Sequence, residues 1–281
     1  MIYILFFVLC IFYSCNSQNN SIIFSTKKAK SNRNESEKII KHYESDEQKL
    51  AAAKFLIQHM AFHYNKNNSK EVNLQDLYDK HAAISEKYNW MKTPLPWRQE
   101  IDSLEKAYAH QIAAFSFLDY KSDIETIKSE WLIKQIDLAF EAWQNNIYTR
   151  EYPFEMFCEF ILPYRFKEGI ILEDSKEMFY KRHHTIFKDS VGASFIQRID
   201  SILYYYKDIR YNFFAGDRIP INSVKTFEQI KYGQCGDRSW FNSLVLASSG
   251  IASSIDFAPS QGNRNNSHTC LLYTSPSPRD R

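Results

Sequence analysis

From Leu50 to Trp143 apolar residues return every three or four positions, a spacing that predicts helices through the first half of the chain. The first stripe is Leu50, Ala53, Ile57, Met60 and Ala61, with Ser45 and Gln48 spaced as a capping box ahead of it and Asn65-Lys66-Asn67-Asn68 ending it. Leu74, Leu77, Tyr78, His81 and Tyr88 form a second stripe. Ile101, Leu104, Tyr108 and Ile112 form a third, and Leu132, Ile136, Ala139 and Trp143 a fourth. Pro94 and Pro96 predict a loop between the second and the third, because a residue before proline is pushed out of the α region. With 281 residues, 44% of them hydrophobic, the chain can bury one large core or two modest ones.

Charge narrows the partners. Lys and Arg number 35 against 33 Asp and Glu, a formal charge of +2, too balanced to draw the chain onto nucleic acid. Met1 to Ser14 carry no charged side chain and are too short to span a bilayer, which predicts a signal peptide over 1–14 and export. The run ends Phe12-Tyr13-Ser14-Cys15 and turns polar at Asn16, an arrangement similar to a lipobox, so Cys15 is the expected lipid anchor to the cell envelope. The alternative for this run is a buried N-terminal strand. Residues 15–44, rich in Asn, Ser and Lys, read as a flexible tether, and a helical region is expected over 45–150.

Around Glu151 the texture changes to a dense aromatic segment, Tyr152 to Arg165, holding two prolines and Cys158. A helical stretch follows over Phe195 to Tyr206. Then Gly233-Gln234-Cys235-Gly236-Asp237 breaks the chain ahead of Trp240, Phe241, Leu244 and Ala247, one face of a helix that Gly250 ends. Cys235 is thereby expected at a helix N-terminus, where unpaired N–H groups and the helix dipole favour a thiolate, the nucleophilic form of cysteine. Ile255 to Ala258 read as a strand, and a turn-rich loop, Pro259 to Ser267, delivers His268 to the next one. An imidazole beside a thiol can take its proton and later return one to a leaving group.

The Gly233–Asp237 motif, the Gly250-Ile251-Ala252 step, the Ile255-Asp256-Phe257 strand and Gly262-Asn263-Arg264 before Ser267-His268 resemble the transglutaminase-like superfamily. Leu50 to Ile57 and Phe160 to Arg165 resemble an exported bacterial branch with a helical region ahead of that core. The resemblance implies an α+β fold, an N-terminal helical region followed by a truncated transglutaminase-like, papain-like core over 151–269. It implies Cys235 as nucleophile and His268 as base, with the family's orienting Asp lacking a counterpart. Residues 270–281 resemble a translated sequencing adaptor, so the natural protein is expected to be longer.

The function expected from the resemblance is thiol-dependent acyl transfer, with hydrolysis of a peptide, envelope-protein or glycopeptide amide favoured over cross-linking. No cofactor or metal is expected. The alternative is a non-catalytic binding or scaffold lipoprotein keeping the same fold. Other groups have plainer readings. Cys158 reads as a core residue, His59 and His63 as solvated or packing residues, and His183-His184 as a surface pair. Tyr204 to Tyr206 read as core aromatics. Glu159, Arg165 and Glu168 read as a structural ion-pair network.

Overall fold

The computed structural model describes residues 25, 27–66, 72–88, 94–188, 192–211, 219–260 and 267–273. The expected signal peptide, Cys15, most of the loop before His268 and residues 274–281 of the tail lie outside them. In chain order the helices are α1 (Arg33–His42), α2 (Glu47–Met60), α3 (Gln75–Lys87), α4 (Pro94–Ala107), α5 (Ala109–Ser116), α6 (Ser129–Asn145), α7 (Phe154–Phe160), α8 (Ser175–His183), α9 (Phe195–Tyr205), α10 (Val224–Ile230) and α11 (Cys235–Ser248). The strands are β1 (Tyr64–Lys66), β2 (Tyr120–Ser122), β3 (Arg210–Tyr211), β4 (Tyr232–Gly233), β5 (Ser253–Ala258) and β6 (His268–Tyr273). Helices thus dominate, with small sheets among them, a mixed composition compatible with α+β. Among the described residues no helix is long and apolar enough to cross a membrane.

The chain divides into two compact units, residues 1–65 with 121–137, and residues 66–120 with 138–281. In the first, Lys30 to His42 are helical where the composition predicts a tether, and Ile39 is 1% exposed. The polar composition hid a narrow apolar edge. Asn32 is buried because its amide donates to the carbonyls of Ile124 (3.1 Å) and Ile127 (2.8 Å), and Glu35 accepts from the Ser129 amide and hydroxyl, both at 2.8 Å. Arg33–Glu37 and Glu35–Lys38 pairs add helical support along the exposed side. Helix α2 follows its stripe and buries Ala52, Ala53, Leu56, Ile57 and Met60. Its cap is Asp46, which accepts from the Lys49 amide at 3.0 Å, one residue later than the Ser45 capping box expected.

In the second unit, α3, α4 and α5 pack Leu77, Trp97, Ile101 and Phe115 around Ile230 and Tyr232 from the other end of the chain. Tyr78 donates to the Pro220 carbonyl at 2.8 Å and ties the two stretches together. Pro94 opens α4 instead of lying in the expected loop, and Pro96 stands in its first turn, where a missing N–H costs nothing. The third stripe is split, since one helix ends at Ala107 and the next begins at Ala109. A second cluster gathers Phe179, Phe187, Ile199, Ile202, Phe227 and Phe241. Helix α9 starts with a true capping box, Ser194 with Gln197. Strand β3 runs parallel to β4, and β5 pairs antiparallel with β6, Ala258 opposite His268 and Ser253 opposite Tyr273.

Candidate functional site

The start of α11 is built by three residues around Cys235. Gly233 ends β4 in a space without room for a side chain: a Cβ there would meet the Phe227 ring at 2.7 Å, Ile221 at 2.8 Å and the Asp237 Cβ at 2.9 Å. Gln234 then takes the extended N-cap conformation and closes a capping box with Asp237, whose Oδ2 accepts from the Gln234 amide at 3.0 Å. The other Asp237 oxygen receives the Lys167 ammonium at 2.5 Å, across 70 residues of sequence. Cys235 is the first helical residue, partly exposed, as its place before the apolar run predicts.

Beyond its first turn α11 is buried on every side rather than on the single face expected. Ser239 to Ser248 are all buried, with Trp240, Phe241, Val245 and Leu246 at 2% exposure or less. Arg238 anchors the next turn by donating to the carbonyls of Tyr206 (2.8 Å) and Ile209. Gly250 ends the helix with φ of 74°, and its amide donates to the Ala247 carbonyl at 3.0 Å. A Cβ on Gly250 would collide with the Ala142 carbonyl, standing 2.7 Å from its carbon. Two side chains hold this corner from outside. Thr149 donates to the Gly250 carbonyl at 2.7 Å, and Asn146 to that of Ser249 at 3.0 Å.

His268 opens β6, half-buried, opposite Ala258. The strand lies against the start of α11: a Cβ on Gly236 would meet the Thr269 hydroxyl at 3.8 Å, and Ser239 donates to the Thr269 carbonyl at 3.4 Å. The neighbour of His268 in sequence therefore touches the neighbour of Cys235. Strand alternation then sorts the side chains. Leu271 and Tyr273 pack on the core with Thr269 on their side, which places His268, Cys270 and Leu272 on the other side. Asp256, opposite Cys270, shares the face of His268 and is exposed. Among the described residues no hydrogen bond joins Cys235 to His268, and no ion pair joins Asp256 to His268.

Cys158, Cys235 and Cys270 carry free thiols. Cys158 is 4% exposed, and burial, with Glu155 and Glu159 nearby, pushes its thiol up to about 12, the behaviour of a core residue. His59 turns Nδ1 to the Phe55 carbonyl at 2.7 Å. His183 is buried, not at the surface as expected: its Nε2 meets the Tyr206 hydroxyl at 2.8 Å, and burial, with Arg182 alongside, lowers it to about 4. Tyr204 and Tyr205 are exposed and only Tyr206 joins the core. Arg165 is buried and donates to the Ile170 carbonyl at 2.7 Å. Among the described residues no group of three His, Cys, Asp or Glu side chains is placed to hold a metal ion.

A cavity of about 320 Å³ borders the first turn of α11 through Gly233, Gln234 and Asp237. Its other walls include Lys66, Tyr120, Lys167 and Ile170. Sequence reasoning missed Lys167 and the cavity, since nothing in local spacing links Lys167 to a helix that begins 68 positions later. Comparison with family models, curated protein sequences and solved structures gives no match.

Proposed function

We propose that the chain is a transglutaminase-like thiol acyl-transfer enzyme of the cell envelope, anchored through Cys15, that hydrolyses a peptide or envelope-protein amide. Cys235 attacks the amide carbonyl carbon, and its proton passes to His268. The C–N bond of the tetrahedral intermediate then breaks, His268 protonates the leaving amine, and water resolves the thioester to acid and free thiol. The Cys235 backbone N–H, at the helix start, is the oxyanion donor in this scheme. The observation that supports the reading is the position of Cys235, the first residue of α11 and partly exposed, behind the Gln234–Asp237 capping box. Incubation with a thiol-reactive amide probe tests it: labelling is expected in the parent protein and lost in Cys235→Ala, and equal labelling of both defeats it.

One observation favours a second reading, a binding module with the same order of elements. His268 lies on the sheet face turned from the core, with no hydrogen bond to Cys235 among the described residues. On that reading His268→Ala leaves labelling of Cys235 unchanged.

A further inference from the structure

We propose that Lys167 is a positioning residue for Cys235: its ammonium cancels the charge of Asp237 and so lets the first turn of α11 favour the thiolate. The inference rests on Cys235 being the reacting residue. The turn carries a conflict of charge. N–H groups at the helix start and the positive end of the dipole favour an anion at Cys235. Asp237, in the same turn, adds a full negative charge that opposes it. Its carboxylate has another task, because Oδ2 accepts from the Gln234 amide at 3.0 Å and closes the capping box. Gln234 is joined directly to Cys235, so the cap that shapes the turn also sets a carboxylate close to the thiol.

Lys167 resolves the conflict without disturbing the cap. Its ammonium meets the other oxygen, Oδ1, at 2.5 Å and leaves Oδ2 on the Gln234 amide. The lysine side chain is 40% exposed, so water screens its charge and the effect on the thiol is a modest one. The segment that delivers it is pinned on both flanks. Ahead of it the buried Lys176 ammonium donates to the carbonyls of Ile161 (2.9 Å) and Leu162 (3.2 Å). Arg165 donates to the Ile170 carbonyl at 2.7 Å, bracing the turn across Lys167, and the Ile171 amide donates to the Asn222 carbonyl at 2.7 Å. Other charged groups around the turn do not replace it. Arg238 directs its guanidinium to the carbonyls of Tyr206 and Ile209, and Glu168, which borders the same cavity as Lys167 and Asp237, has the wrong sign to offset a carboxylate.

Alkylation of Cys235 by iodoacetamide is followed on the full chain from about pH 5 to pH 10, with peptide mass spectrometry separating Cys235 from the other thiols. In Lys167→Met the profile is expected to move to higher pH, with the rate at pH 7 about threefold lower. Lys167→Arg is expected to keep the parent profile. Adding Asp237→Asn to Lys167→Met is expected to restore it, since an amide oxygen still accepts from Gln234 but carries no charge. Circular dichroism checks that each variant is folded. An unmoved profile in Lys167→Met, a displaced one in Lys167→Arg, or a displacement that Asp237→Asn does not reverse overturns the inference. The expected displacement and its reversal, in a chain whose Cys235 takes no amide probe, defeat the catalytic reading alone. Probe labelling with an unmoved profile defeats the inference alone, so the two failures are distinguishable.

Discussion

Gly250 shows how a single residue holds the candidate site in place. Its positive φ and its approach to the Ala142 carbonyl each exclude a side chain. Gly250→Ala is expected to cost roughly 2–5 kcal/mol, combining left-handed backbone strain with forced displacement of a packed carbonyl. A drop in the urea midpoint with unchanged slope checks it. His183 is the matching case for charge. Burial disfavours its imidazolium, so the unfolded chain takes up a proton first as pH falls below the ordinary value of 6.5, until the folded form does so near 4. Stability contributed by neutral His183 is therefore complete above pH 6.5 and is lost through the window down to about 4, by about 3 kcal/mol at most. Denaturant titrations at pH 7 and pH 4.5 are expected to show a loss that His183→Gln reduces.

At the level of elements, helices with a broad apolar stripe were legible. Leu50 to Ala61 marked α2, Phe195 to Tyr206 marked α9, and the glycines at 233 and 250 bracketed α11. Strands β5 and β6 stand where the Ile255–Ala258 run and the turn-rich loop before His268 predict them. Helix α1 was not legible, because its burial rests on Asn32 and Glu35 bonding to a segment some 90 residues away, and polar residues carry no periodicity that reveals such a partner. Pro94 misled for a local reason: proline breaks a helix interior but suits its first turn, and sequence alone does not say which applies.

At the scale of the molecule, the second unit draws α3 to α5 into one core with the segment leading to Cys235. Trp97 and Tyr232 pack with ring centroids 4.9 Å apart, and Tyr232 is three residues from the cysteine. Trp97→Ala is expected to destabilise the chain by roughly 3–5 kcal/mol, read from a urea transition. No spacing rule joins residues 97 and 232, so this link was outside the reach of sequence, as was the Lys167–Asp237 pair. The central claim is that Cys235 and His268 act together. Its direct measurement is the rate of acylation at Cys235 by an activated amide, followed by peptide mass spectrometry, in the parent protein and in His268→Ala. A fall of about a hundredfold or more is predicted in the variant, and equal rates would contradict it.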